Sequence, residues 1–179
     1  ELTRDIAQRF NKAYGDAFVV PEPYIPKVGA RIMSLQEPDK KMSKSDPNPN
    51  AFIRIVDQPD EIVRKLKRAV TDCEGKITDN PEQAGVYNLL SIYSSCTGCT
   101  IAEAVDLFAS KGYGDLKLGV ADAVIATLSP IQNAYQHLLS DKQYLFEQME
   151  LGAQRAQVTA RKTVRKVYHK LGLDAGKTK

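Results

Sequence analysis

Residues 40–47 read Lys-Lys-Met-Ser-Lys-Ser-Asp-Pro, and the reading of this stretch decides the architecture. Lys41 and Lys44 set two ammonium groups three residues apart, with the hydroxyls of Ser43 and Ser45 beside them and Pro47 and Pro49 closing the stretch. It has neither a helical nor a strand period, so it is a polar loop. A lysine is a compact point charge on a flexible stem and can follow an anion as it moves. Two of them with hydroxyls and free backbone donors suit an oligophosphate. Taken alone, the same composition also describes a solvated basic turn, and the flanking sequence has to choose.

On the N-terminal side, Ile6, Phe10 and Ala13 keep a helical rhythm that Gly15 stops. Phe18 to Val20, closed by Pro21, and Arg31 to Leu35 are short, apolar and rich in branched residues, which predicts two strands. Pro21, Pro23 and Pro26 mark an extended connection between them. After the loop, Phe52 to Val56 predicts a third strand. The period then lengthens. Asp57 is placed to cap a helix, Pro59 suits its first turn, and Ile62, Leu66, Ala69 and Val70 form one stripe before Gly75 ends it. Lys76 to Ala84 reads as a linker. A loop following a strand of such an α/β unit lies where open sheets place ligands.

Beyond the linker everything is helical. Gly85–Ser95 and Ile101–Ser110 predict short helices, and Leu116–Leu139 a long one with Val120, Val124, Leu128, Ile131, Tyr135 and Leu138 on one face. Pro130 should kink it. Asp141 caps a last helical segment that Gly152 is expected to interrupt, ending near Leu171 and Gly172. The expected fold is therefore an α/β segment, the end of a Rossmann-type nucleotide-binding domain, followed by an all-α bundle, and mainly α overall. The expected division is residues 1–75 for the first part, 76–173 for the helical domain and 174–179 as a disordered tail.

The formal charge of +3 over 179 residues implies no polyanion partner by itself. Its distribution does more: from Ala153 to the end there are eight Lys or Arg against one acid, a local +7. Arg155, Arg161, Lys162, Arg165 and Lys166 fall on the half of the helix opposite Ala153, Ala160, Val164, Val167 and Leu171, with Val158 as the exception. Three cysteines make no disulfide framework and point to a reducing compartment. Cys96 and Cys99 have metal-like spacing, but with Cys73 they supply three thiols where a structural site takes four ligands, so no metal is expected. No apolar run approaches the roughly 20 residues that span a bilayer.

Lys41-Met42-Ser43-Lys44-Ser45 is the second signature of class I aminoacyl-tRNA synthetases. The text around it, from Gly29 to Asn50 with Ala69-Val70-Thr71-Asp72, Gly85 to Leu90 and Tyr113 to Lys117, resembles bacterial-type tryptophanyl-tRNA synthetases over essentially the whole chain. The resemblance implies that Lys41 and Lys44 neutralise the β- and γ-phosphates of ATP as pyrophosphate leaves, and that Ser43 and Ser45 help hold them. It implies that Met42 anchors the loop, and that Ile32 and Met33 meet adenine through their backbone. Magnesium is expected with the ATP. It implies tRNA(Trp) as partner, bound through Arg155, Arg161, Lys162, Arg165 and Lys166, and a cytoplasmic homodimer with no membrane contact. Two departures matter. The His-Ile-Gly-His type signature of the class is absent, since His137 and His169 are the only histidines, and the chain opens on Glu1 with a helical pattern already running. The iron–sulfur pattern of some relatives needs four cysteines. The expectation is the C-terminal half of the enzyme, inactive alone. The alternatives are a stand-alone tRNA-binding or regulatory module, and the related tyrosine enzyme.

Overall fold

The computed structural model describes residues 1–25 and 31–173, so the expected tail at 174–179 and Pro26 lie outside the described residues. Six α-helices follow one another: α1 (Leu2–Tyr14), α2 (Pro59–Lys67), α3 (Ala84–Thr97), α4 (Ile101–Phe108), α5 (Tyr113–Ser140) and α6 (Lys142–Lys170). The chain forms two compact units, one of residues 26–137 and one that joins residues 1–25 to 138–179.

The first unit holds the core. Ile62 and Leu66 of α2, Leu89 and Leu90 of α3, and Leu116 and Val120 of α5 are all at most 1% exposed. Each such side chain contributes about 1.5–3 kcal/mol by leaving water. Thr100 starts α4 with a reciprocal cap: its hydroxyl accepts from the Glu103 N–H at 3.2 Å, and Glu103 accepts from the Thr100 N–H at 2.8 Å. Tyr93 of α3 meets Phe108 of α4 edge to face at 5.2 Å. The expected apolar face of α5 is buried at Val120 and Val124, while Ile131 and Tyr135 are exposed.

The second unit is built differently. Phe10 of α1 packs against Tyr14 at a tilt and meets Phe18 edge to face, and the Lys170 ammonium donates to the Tyr14 carbonyl at 2.9 Å. Gly15 stops α1 with φ at 78°, a region where a side chain would be strained. Asp141 caps α6 as expected, accepting from the Tyr144 N–H at 2.9 Å. No residue of α6 is buried.

The mainly helical expectation holds, and the three strands do not form among the described residues. Side-chain groups stand where strand neighbours would be. The Asn11 amide accepts from the N–H groups of Ala17 and Phe18 and donates to the Phe18 carbonyl. Asn88 takes both backbone groups of Met33, and among the described residues 31–35 form one isolated antiparallel bridge, Met33 to Lys41, with single backbone bonds from Leu35 to Ala51 and Val70. In 52–56, Asp57 accepts from the Arg54 N–H and Gln132 donates to the Ile55 carbonyl. A backbone edge satisfied by a side chain cannot extend a ladder.

Three expected helix signals also act differently. Asp57 is not the cap of α2: Gln58 occupies that position without a side-chain bond, and Asp57 is buried in an ion cluster. The helix ends at Lys67 rather than Gly75, because the Val70 N–H leaves it to donate to the Leu35 carbonyl at 2.8 Å. Helix α6 runs through Gly152 without a break. A single glycine costs a helix only about 1 kcal/mol, and its neighbours are good helix formers.

Candidate functional site

The polar loop is held at both ends and open in the middle. Its incoming limb, 31–35, is fixed on two edges. Along an extended segment backbone groups alternate in direction. On one edge, Ser34 N–H donates to the Lys40 carbonyl at 2.8 Å and Ile32 O accepts from the Met42 N–H at 3.0 Å. On the other edge, the Met33 N–H donates to Asn88 Oδ1 and the Met33 carbonyl accepts from Asn88 Nδ2, both at 2.9 Å. Leu35 N–H then reaches the Ala51 carbonyl at 2.9 Å, which closes the base of the loop. The Ser34 hydroxyl accepts from the N–H groups of Gln36 and Glu37 and turns the chain.

Within the loop, Met42 is half-buried and packs on the core with Ile32 and Ile53. These three, with Ile92, Cys96 and Val124, line an apolar cavity of about 170 Å³. Lys41, Ser43, Lys44 and Ser45 are exposed. Lys40 is tied to Glu37 in an ion pair, and Glu37 raises the Lys40 ammonium pKa, through the hydrogen bond first and charge second. Neither Lys41 nor Lys44 has an ion-pair partner among the described residues. The Ser43 hydroxyl accepts from the Ser45 N–H at 3.2 Å, and the Asp46 N–H donates to the Ser43 carbonyl at 3.2 Å, so the tip is a self-closed turn. Two ammonium groups on a turn anchored by one apolar side chain can neutralise an anion held above it.

The outgoing limb is anchored by charge. Asp57 and Lys65 are fully buried, with Lys65 Nζ 2.5 Å from Asp57 Oδ2, and Arg54 Nε lies 2.6 Å from Asp57 Oδ1. Burial pushes the Asp57 carboxyl up, but hydrogen bonds from Lys65 and from the backbone and side chain of Arg54 together outweigh it and hold the group below its ordinary range. Gln132 of α5 donates to the carbonyls of Ile55 and Asp57 at 2.7 and 2.9 Å. At the start of α5, well away from Gln132, Tyr113 donates its hydroxyl to Asp72 and lies 3.0 Å from the Lys76 carbonyl. Burial, then the Asp72 carboxylate, push the Tyr113 phenol up to about 12.

The expected residues 32, 33 and 41–45 are thus brought together. The basic set belongs to the other unit: Arg155, Arg161, Lys162, Arg165 and Lys166 are exposed along α6 without ion-pair partners among the described residues. Cys73, Cys96 and Cys99 are free thiols, and no cluster of metal-binding groups occurs among the described residues. No helix among them is long and apolar enough to cross a membrane. Sequence reasoning missed Asn88, Gln132 and the Asp57–Lys65–Arg54 cluster. Spacing offered one hint, since Lys65 lies one helical turn after Glu61 and faces it at 3.5 Å.

The family model of class I tRNA synthetases (W and Y) matches residues 1–129. The chain belongs to this family. It is 52% identical over 172 residues, 96% of its length, to the tryptophan–tRNA ligase of Clostridium acetobutylicum, and covers 51% of that protein. Among solved structures it is similar to tryptophanyl-tRNA synthetase from Mycoplasma pneumoniae, with a TM-score of 0.89, 32% identity, and coverage of 99% of this chain and 54% of that one. The Campylobacter jejuni enzyme, solved in complex with ADP and tryptophan, matches with a TM-score of 0.65 and 25% identity over 95% of this chain and 52% of that one. The chain spans about half the length of the curated relatives it matches.

Proposed function

We propose that this chain supplies the ATP and pyrophosphate loop and the anticodon-binding helices of a tryptophan–tRNA ligase. In the whole enzyme, tryptophan and ATP give tryptophanyl-adenylate and pyrophosphate, and the tryptophanyl group passes to the 3′-terminal adenosine of tRNA(Trp). Residues 1–75 belong to the catalytic domain and 76–173 to the helical domain. The Rossmann character of the first part arises when its extended segments at 18–20, 31–35 and 52–56 meet the rest of a sheet. The enzyme works as a cytoplasmic homodimer.

The observation that carries this reading is the contrast within the loop. Lys40 is neutralised by Glu37, while Lys41 and Lys44 are exposed, without ion-pair partners among the described residues, on limbs fixed at both ends. Lys41 and Lys44 would stabilise the charge that gathers on the β- and γ-phosphates as the α-phosphorus bond to pyrophosphate breaks. Ser45 and the backbone N–H groups of the loop tip would hold the same oxygens, and Met42 keeps the loop seated. Magnesium arrives on the triphosphate as part of the substrate. For adenine, Met33 has both backbone groups engaged by Asn88 and Ile32 has its carbonyl engaged by Met42. The Ile32 N–H is the donor left for the base. The basic side chains of α6 hold tRNA phosphates, which set register and affinity without reading bases.

The test is tryptophan-dependent exchange of pyrophosphate into ATP by the longer protein that carries this sequence. Lys41→Ala and Lys44→Ala should each lower its rate by about 10²–10³-fold, the usual loss when one donor to a developing charge is removed. Lys40→Ala should change it less than about threefold, by a loss no larger than an exposed ion pair supplies. Equal losses at all three lysines would leave only a nonspecific basic loop. The 179-residue chain alone should show no exchange.

A further inference from the structure

Asn88 is a poor choice for the interior of a helix, because its short polar side chain competes with the backbone for hydrogen bonds. In α3 it is 4% exposed, and both the oxygen and the nitrogen of its amide bond outside the helix. Oδ1 accepts from the Met33 N–H and Nδ2 donates to the Met33 carbonyl, each at 2.9 Å. A primary amide with this pairing reproduces one rung of a strand ladder. The residue three positions earlier fits the same purpose. A Cβ on Gly85 would lie 2.2 Å from the Val70 carbonyl oxygen, so only glycine lets this end of α3 sit against the 70–71 backbone. The Val70 N–H in turn donates to the Leu35 carbonyl. The limb that leads into the Lys41–Ser45 loop is therefore gripped by α3 directly at Met33 and by way of Val70 at Leu35. Between these grips and the bridge to Lys41, the Ile32 N–H has one defined direction and no backbone partner among the described residues.

We propose that Asn88 is a positioning residue for ATP: by occupying the outer edge of Met33 it fixes the backbone that meets the nucleobase and the stem from which the phosphate loop springs. This rests on the ATP reading of the loop given above. It also makes α3, a helix of the bundle, part of the nucleotide site without touching the nucleotide. Loss of the amide frees two backbone groups to bond water or each other, and the limb can slip relative to the loop.

The experiment compares wild type, Asn88→Ala and Asn88→Asp in the longer protein, measuring pyrophosphate exchange with ATP and tryptophan varied separately. Asn88→Ala should raise the KM for ATP about tenfold, the scale of one lost buried hydrogen-bond pair, and leave the KM for tryptophan within about twofold. Asn88→Asp keeps the acceptor for the Met33 N–H but sets a carboxylate against the Met33 carbonyl. Its KM for ATP should fall back towards wild type as the pH is lowered and the introduced carboxyl gains a proton to donate, a profile absent from wild type. If Asn88→Ala does not fold, the pH profile of Asn88→Asp still decides. An unchanged KM for ATP in either variant, equal rises for both substrates, or an Asn88→Asp profile parallel to wild type would overturn the assignment to positioning. Failure of the wild-type protein itself to exchange pyrophosphate would instead remove the ATP reading, and this inference with it.

Discussion

Two regions of this chain carry the exposed cations proposed to meet phosphate, and they are built on opposite principles. Every member of the hydrophobic core cluster lies between Leu35 and Val124, in the unit that bears Lys41 and Lys44. Helix α6, which bears Arg155 to Lys166, buries no residue in 29. Under the proposed function Lys41 and Lys44 meet a phosphate in the act of leaving, and limbs stapled to a packed core bring their flexible stems within its reach. A nucleic-acid backbone is long and uniformly charged, and a face that meets it gains from number and exposure of cations more than from exact placement. The difference teaches which variants should act through structure and which through charge.

The largest effect should come from the ion cluster beneath the outgoing limb. Lys65→Ala leaves Asp57 buried with one of its two cationic partners gone and should destabilise the chain by about 3–5 kcal/mol in urea denaturation. The pair also sets an acid limit. The Asp57 carboxyl is held below its ordinary value in the folded chain, so its contribution is complete above about pH 4, where the unfolded carboxyl is ionised, and is lost as pH falls through the lower folded value. The gap between wild type and Lys65→Ala should narrow along that descent. A gap unchanged from neutral pH through the acid range would mean that Lys65 acts by packing, including its approach to the Phe52 ring at 5.3 Å, and not through Asp57.

One substitution should have opposite signs in the two regions. Gly85→Ala drives a methyl into the backbone at Val70, where nothing can rotate away, and should cost about 1–3 kcal/mol. It should also loosen the Met33 clamp and raise the KM for ATP in the longer protein. Gly152 in α6 has nothing within 4 Å of an added Cβ, and Gly152→Ala should stabilise by about 0.5–1 kcal/mol through helix propensity alone. Equal effects at the two sites, read as urea midpoints, would erase the contrast between a packed and a displayed region.

The sequence made the helices legible because period, caps and stops agree within them. Asp141 and Gly15 stand as read, and of the expected stripe Ile62 and Leu66 are buried on α2, while Ala69 is buried and Val70 exposed past its end. That 41–45 is a polar loop was also legible, and the structure sets Ile32 and Met33 beside it through the bridge to Lys41 and the Met42 N–H. The strands were misread for one physical reason. Branched apolar runs report a wish for an extended, half-buried backbone, but not what will satisfy its edges. Here Asn11, Asn88, Asp57 and Gln132 do so, some from far along the chain. Asn88 and Gln132 looked like ordinary polar positions on helices because their partners, Met33 and Ile55, are 55 and 77 residues away. Asp57 looked like a cap because a carboxylate before Pro59 is the usual cap, and nothing in the local sequence marks Lys65, eight residues on, as its buried partner.

The smallest effect on stability should fall on α6, where it is the most informative. Arg161→Ala with Arg165→Ala removes two exposed cations without ion-pair partners among the described residues, so stability in urea should move by no more than about 0.5 kcal/mol. Binding of a tRNA(Trp) anticodon stem-loop, followed by fluorescence anisotropy at several salt concentrations, should weaken. The slope of log affinity against log salt should fall by about 2, one for each phosphate no longer neutralised. A stem-loop with a scrambled anticodon should weaken in the same proportion, because cations that meet phosphates carry no sequence information. If the double variant instead abolished preference for the cognate loop while keeping its salt slope, the two arginines would be reading bases. The face would then need the same exact placement as the lysine loop, and an unburied helix would have to obtain it from interactions made only in the complex.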